Sequence, residues 1–296
     1  MSILLAKNSG FCFGVKRAIR LAQEASRDSA GKPIYTLGEI IHNPQIVQEL
    51  ESEGIRVARD LTELHNAVVI IRSHGIPRHE EELLQQQGCI LIDATCPYVK
   101  RTHELASEMS REGYKVLICG DPTHPEVVGM LSYAEGAEVV KPGNELCLGS
   151  RAKVALICQT TQKLENLQDV VQKLVLRVKE LRVFNTICLA TTERQDSTRM
   201  LAQKTDLMII IGGHHSSNTR MLHSICSKET LAVHIETEAE LDEELIRRHT
   251  AIGLSAGAST PDDMIVRVYN KIKQIKGEAE LVSSISDIPT FKEESC

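Results

Sequence analysis

The chain predicts an α/β fold of three pseudo-threefold-related lobes, each a small, mostly parallel sheet flanked by helices. Three observations carry that expectation. Short runs of Val, Ile and Leu without period-two alternation recur, among them 67–71 (AVVII), 115–119 (KVLIC), 154–158 (VALIC) and 206–211 (DLMIII). Strands covered on both faces read this way. Between them lie helical patterns: in GVKRAIRLAQEA, Val15, Ala18, Ile19 and Ala22 follow the i, i+3, i+4, i+7 spacing of one buried face. Finally, Cys12, Cys96 and Cys188 each follow an apolar run and precede a basic, amphipathic stretch, at separations of 84 and 92 residues.

Taken in order, the elements repeat. After Cys12, 33–37 leads to the polar tip EIIHN (39–43), and 67–71 leads to SHGIP (73–77). After Cys96, 115–119 leads to DPTHPE and 154–158 to QTTQ. After Cys188, 206–211 leads to GGHHSSNTR and 251–254 to SAGASTPDD. Each lobe thus offers one thiolate tip and two polar tips at the carboxyl ends of strands, the edge at which open α/β sheets bind ligands. The expected boundaries are 14–97 for the first lobe, 98–189 for the second and 190–276 with 1–13 for the third. Residues 277–296 lose helical periodicity and read as a tail. With the lobes around one axis, all these tips converge on a single pocket, with the cysteines at its centre.

Composition excludes several classes. The net charge of −6 provides no broad basic face for a nucleic acid. No apolar stretch approaches the roughly 20 residues that span a bilayer. The run 3–6 is too short for the apolar segment of a signal peptide. The expected compartment is the cytoplasm, where nine cysteines, an odd number, read as ligands, nucleophiles or core residues and not as disulfides. Neither a Walker A sequence nor a GxGxxG fingerprint is present, so a nucleoside triphosphate or dinucleotide site has no support.

Three thiolates, one from each lobe, suit an iron–sulfur cluster with one iron left free to bind substrate. A zinc site of three Cys and one His stays open, although the spacing resembles no finger or ribbon. Cys119 and Cys158 each end an apolar run and read as small core residues. Cys89, Cys147, Cys226 and Cys296 lack the strand–turn–helix setting. His42, His74 and His124 sit in polar tips beside Pro or Gly, where imidazoles can bind a diphosphate; a single histidine there is more often structural. Glu126 is placed either to deliver protons or simply to favour a helix N-terminus. Thr160 can pass a proton, hydrogen-bond a hydroxyl or cap a helix. Ser216, Ser217, Asn218 and Ser259 follow Gly-containing turns and precede helices, a setting for an anion cradle or for capping. His65, His79, His103, His223, His234 and His249 lie in helix-like or charged stretches and read as surface or structural.

The motifs GFCFGVKRA, EIIHNP, SHGIP, DATCP, HPEVVG, QTT, TIC-ATTERQ, SSN and AGAS run in order from Phe11 to Ser259. Together they closely resemble the 4-hydroxy-3-methylbut-2-enyl diphosphate reductase family. The resemblance implies a three-lobed fold around a 4Fe–4S cluster, with Cys12, Cys96 and Cys188 as ligands. It further implies that His42, His74, His124, Ser216, Ser217, Asn218 and Ser259 hold an allylic diphosphate. Glu126 would feed protons and Thr160 would contact the substrate hydroxyl. The family reduces the allylic alcohol with two electrons and two protons, losing water, to isopentenyl and dimethylallyl diphosphate. Ferredoxin or flavodoxin usually supplies the electrons. His214–His215 stands where the family more often has Lys-Asn, which alters the charge and hydrogen bonding behind the phosphate. Two rival readings are another three-cysteine cluster enzyme such as quinolinate synthase, which the His and Ser-Ser-Asn tips disfavour, and a non-catalytic cluster or zinc sensor.

Overall fold

The computed structural model describes residues 2–29, 31–41, 43–143 and 152–277. The chain starts with β1 (Ser2–Leu5) and α1 (Phe13–Asp28). A first sheet follows, of β2 (Ile34–Leu37), β3 (Ile55–Ala58), β4 (Val68–Ile71) and β5 (Ile90–Asp93). It carries α2 (Pro44–Ser52) and α3 (Arg78–Gln86). Next come α4 (Pro97–Arg111), β6 (Lys115–Cys119), α5 (Pro125–Ser132), β7 (Glu138–Val140), β8 (Lys153–Cys158), α6 (Leu164–Val175) and β9 (Glu180–Phe184). The remainder is α7 (Leu189–Ala202), β10 (Leu207–Ile211), α8 (Ser217–Cys226), β11 (Leu231–Ile235), α9 (Glu243–Arg248), β12 (Ala251–Ala256) and α10 (Asp262–Lys276).

The strands form three four-stranded sheets, ordered β3-β2-β4-β5, β7-β6-β8-β9 and β11-β10-β12-β1, and every pairing is parallel. Position by position the three orders are the same. In each sheet the edge strand β5, β9 or β1 is the one that leads to Cys96, Cys188 or Cys12. The chain divides into two compact units: Phe13–Cys188, which holds two sheets, and Met1–Cys12 with Leu189–Cys296, which holds the third.

Burial on both faces explains why the central strands read as continuous apolar runs. In β6 and β8, Val116, Ile118, Ala155 and Ile157 face Leu105, Ala106 and Met109 of α4. Leu117, Leu156 and Cys158 face Leu167, Val170 and Leu174 of α6. The third sheet does the same: Leu207, Ile209 and Ile211 pack under Ile265, Val268 and Ile272 of α10, while Met208 and Ile210 pack under Leu201 and Leu222. The amphipathic face expected in α1 is also present, with Val15, Ala18 and Ala22 buried and Ile19 half-buried.

Strand ends differ from the sequence expectation by a residue or two. Asp206, read as part of a strand, instead precedes β10 and accepts hydrogen bonds from the Thr250 and Ala251 N–H groups at 2.9 and 3.0 Å. The sequence pattern passes over β3, β7 and β11 altogether. These are edge strands with the sequences IRVA, EVV and LAVHI, and none is apolar on both faces. No helix among the described residues is long and apolar enough to cross a membrane.

Candidate active site

The cysteines occupy equivalent places. Each backbone N–H reaches a carbonyl at the tip of the adjacent strand: Cys96 to Ser73 at 3.0 Å, Cys188 to Thr160 at 3.1 Å and Cys12 to Ala258 at 3.2 Å. None of the three is in a disulfide, and all are half-buried. Cys96 and Cys188 stand directly before α4 and α7, and Cys12 before α1. The loops into two of them are clamped by arginine. Arg17 of α1 donates to the carbonyls of Thr95 and Asp93 at 3.1 and 3.2 Å. Arg194 of α7, itself 2% exposed, donates to Asn8 and Gly10 at 2.7 and 2.8 Å. Sequence reasoning missed this role, because Arg17 and Arg194 are single letters within the motifs around Cys12 and Cys188. An arginine five residues after Cys12 and six after Cys188 was the available signal.

Cys119 and Cys158 are register partners on neighbouring strands, wholly buried, as their place in apolar runs suggests. Cys226 is also buried, which pushes its thiol up to about 12. Cys89 is half-buried, its thiol 3.4 Å from the Leu64 carbonyl. Cys147, Cys296 and His42 lie outside the described residues.

Within Phe13–Cys188, four predicted residues come together. The His74 and His124 rings meet edge-to-face with centroids 5.3 Å apart. His124 caps α5: its Nδ1 accepts the Glu126 N–H at 3.2 Å. That bond assigns the proton of a neutral His124 to Nε2, which is thereby a donor. Glu126 is 1% exposed and faces the QTT tip. Its Oε1 accepts the Thr160 N–H at 2.7 Å, and its Oε2 accepts the Thr160 hydroxyl at 2.9 Å. Burial raises the Glu126 carboxyl to about 7, against the opposing pull of the two Thr160 bonds. A carboxylic acid that titrates near neutrality, with a hydroxyl on one oxygen, is equipped to hand over a proton. Thr160 also receives the N–H of Cys188, so one residue touches both the carboxyl and a candidate cluster ligand.

The other unit carries the serine-rich tips. Ser216 caps α8, its Oγ accepting the Thr219 N–H at 3.4 Å. Ser217 opens the helix, and Asn218 follows it at 4% exposure. Neither the amide oxygen nor the amide nitrogen of Asn218 has a partner among the described residues. Leaving a buried polar group unpaired costs about 1–3 kcal/mol, which a polar ligand would recover. Ser259 lies at the tip after β12 and is 8% exposed. Behind these tips, the His214 N–H donates to Glu236 at 2.6 Å, and its ring lies 3.3 Å from Glu240 and 4.5 Å from the His234 ring. The His214–His215 departure is therefore absorbed, at least at His214, by local carboxylates.

Of the two readings left open for His103, surface or structural, burial leaves the structural one: it is 6% exposed and belongs to the interior beside Glu126. The polar letters that flank it on α4 hide this. Thr102 and Leu105 are buried with it, while Arg101 and Glu104 face water.

Comparisons with known proteins follow the same lines. The family model described as LytB protein matches residues 3–273. The chain is 47% identical over 292 residues to the 4-hydroxy-3-methylbut-2-enyl diphosphate reductase of Aquifex aeolicus, covering 96% of this chain and 100% of that one. It is 46% identical over 277 residues to the enzyme of the same name from Geobacter sulfurreducens, covering 93% and 98%. Among solved structures, it is similar to the E-1-hydroxy-2-methyl-but-2-enyl-4-diphosphate reductase of Plasmodium falciparum, with a TM-score of 0.90 at 28% identity over 98% and 95% of the two chains. It is also similar to an (E)-4-hydroxy-3-methyl-but-2-enyl diphosphate reductase, described as the terminal enzyme of the non-mevalonate pathway. The TM-score there is 0.67 at 44% identity over 93% and 100%. A family match over nearly the whole chain agrees with the repeated cysteine turns and the carboxyl–hydroxyl pair, and the chain belongs to the LytB family.

Proposed function

We infer that the chain is a 4-hydroxy-3-methylbut-2-enyl diphosphate reductase, an oxidoreductase acting last in the non-mevalonate route to isoprenoids. The carrying observation is the Thr160 junction. Its N–H and hydroxyl hold Glu126, and its carbonyl holds Cys188, so a proton source sits one residue from a candidate cluster ligand.

Overall, the allylic C–O bond breaks and a C–H bond forms. Two electrons and two protons enter, one proton leaving with the hydroxyl as water and the other going to carbon. A 4Fe–4S cluster held by Cys12, Cys96 and Cys188 would supply the electrons and a Lewis-acidic iron. The donor set fits: three half-buried thiols, none in a disulfide, stand at equivalent strand–helix turns, and neither Cys96 nor Cys188 is tied into a core as Cys119 and Cys158 are. Glu126 is protonated below about pH 7; with Oε1 accepting the Thr160 N–H, the acid proton sits on Oε2, which then donates to the Thr160 hydroxyl oxygen instead of accepting from it. Thr160 can receive that proton and present its own to the substrate hydroxyl. The diphosphate is assigned to His42, His74, His124, Ser216, Ser217, Asn218 and Ser259. The donor Nε2 of His124 and the unsatisfied Asn218 amide support this assignment. Anchoring the diphosphate fixes the position of the allylic end, which is the orientation contribution to the rate. Ferredoxin or flavodoxin as electron donor, which rests on the resemblance of the motifs, and a cytoplasmic setting, which rests on the sequence pattern, complete the reading.

The test is anaerobic. The protein is reconstituted with iron and sulfide, and oxidation of reduced viologen is followed on adding the hydroxymethylbutenyl diphosphate. Rapid substrate-dependent oxidation is expected. A sample carrying its full cluster that shows none returns the chain to the synthase or sensor reading.

The Asn218 assignment has its own outcome. Asn218→Ala removes a buried amide that has no partner among the described residues, so the thermal midpoint should hold or rise. The KM for the diphosphate should increase by on the order of 10- to 100-fold, the loss of one or two hydrogen bonds to a charged group. A lower midpoint with unchanged KM would mark the amide as structural.

A further inference from the structure

His103 lies on α4, seven residues after Cys96, and its surroundings are unusual for a buried imidazole. A Cβ placed on Gly75 would meet the ring at 2.6 Å, and one placed on Gly129 would meet Nε2 at 2.9 Å. Both neighbours must therefore be glycine for the ring to fit. Gly75 adopts φ of +73° beside His74, and Gly129 lies on α5, three residues after Glu126. Tyr133 covers a ring face, stacked at 4.6 Å and 19°. Nε2 has no partner among the described residues and stands against Gly129. The ring also lies beside the Glu126 backbone, which acts on its titration.

The ring stands on the helix that follows Cys96 and touches two other segments that carry candidate site residues: the SHGIP tip with His74, at Gly75, and α5, which opens on His124 and Glu126, at Gly129. We propose that His103 is a positioning residue for the proton relay. Its imidazole, wedged between Gly75 and Gly129 beside the Glu126 backbone, sets where the Glu126 carboxyl and the His74–His124 pair stand. This rests on the reading of Glu126 as proton source.

The role requires an uncharged ring, and the environment provides one. Burial lowers the His103 imidazole to about 4, outweighing Asp93 and Glu104, which pull the other way; Lys100 adds to the lowering. Asp93 is largely committed to Lys100 at 2.7 Å, and Glu81 faces the Tyr133 hydroxyl at 3.4 Å. An apolar residue of similar volume would fill the space but present no polar atom to the Glu126 backbone. Asparagine places an amide N–H close to the Nδ1 position, whereas glutamine places it nearer Nε2.

The test uses the full-length, cluster-loaded protein and compares His103→Leu, His103→Asn, His103→Gln and Glu126→Gln. Readouts are kcat, KM, the pH profile of kcat, and iron and sulfide content. His103→Leu and His103→Gln should lower kcat by on the order of 10- to 100-fold. They should also move the basic limb of the profile toward the ordinary carboxylate range, at parental iron content. His103→Asn should restore most of kcat and return the limb. Parental kcat and limb in His103→Leu overturn the proposal. So do equal losses in all three variants with an unmoved limb, which mark the ring as mere packing. If His103→Leu does not fold, the Asn–Gln contrast decides on the same terms. A fully active Glu126→Gln overturns the proton-relay reading itself, whereas an inactive Glu126→Gln beside a parental His103→Leu overturns only the positioning role.

Discussion

Replacing Glu126 with Gln is expected to lower kcat by on the order of 100- to 10,000-fold, the range for removing a general acid, without changing iron or sulfide content. Gln is nearly isosteric. Its amide oxygen can accept the Thr160 N–H, and its amide nitrogen can donate to the Thr160 hydroxyl, so both contacts of the parent carboxyl persist. Only the transferable proton is lost. In the parent, the acid form is the competent one, so kcat should fall as pH rises through about 7. In the variant that limb should vanish, leaving a low and flat profile. Measuring kcat from pH 6 to 9 at saturating diphosphate checks this. A limb that survives in the variant belongs to another group, and equal loss of activity and cluster would make Glu126 a structural residue.

The same carboxyl has the opposite effect on stability. Its acid form is favoured in the folded chain, with the titration raised from 4.5 to about 7 by burial. Folding therefore carries no penalty from this group well below pH 4.5. The penalty grows between about 4.5 and 7 and stays constant above, reaching on the order of 3 kcal/mol. The cluster-free protein should lose stability across that window, and cluster-free Glu126→Gln should not. Denaturant midpoints at pH 5 and pH 8 separate the two. A variant that is inactive yet more stable at pH 8 is the signature of a strained functional group and not of a structural one.

Much of the fold was legible because the central strands bury both faces. Runs such as VALIC and LMIII leave little alternative to a parallel, helix-covered sheet, and the repeated spacing of Cys12, Cys96 and Cys188 exposes the threefold pattern. The outer strands were not legible. With four residues and mixed polarity, β3 has no local signature and owes its form to pairing with β2. The chemistry of the site divides similarly. Glu126 and Thr160 could be named from the order of the tips, but not that they bond to each other, because that contact spans 34 residues. His103 was hidden for a different reason. Nothing in the helical stretch KRTHEL marks a burial created by two glycines, one 28 residues before His103 and one 26 residues after, so only packing reveals it.

Cys96→Ser tests the cluster assignment by setting two effects of opposite sign against each other. Cys96 is the N-cap of α4, and its side chain makes no capping hydrogen bond. Serine is among the best N-cap residues, worth about 0.5–2 kcal/mol over a residue that does not cap. The backbone bond from residue 96 to the Ser73 carbonyl survives the change. The cluster-free variant should therefore fold as well as the parent or slightly better, judged by its thermal midpoint. Serine oxygen is a poor substitute for thiolate toward iron. Iron and sulfide per chain should fall well below the parental value after identical anaerobic reconstitution, with the visible charge-transfer absorption weakened and viologen oxidation lost. Cys119→Ser, at the end of the interior strand β6 with its thiol in the core, provides the contrast: stability should fall because a hydroxyl is buried among Leu117, Leu156 and Leu167, while the iron-to-folded-protein ratio holds. Parental iron and sulfide in Cys96→Ser would remove Cys96 from the ligand set, and with it the argument that the repeated strand–cysteine–helix turn exists to hold a metal.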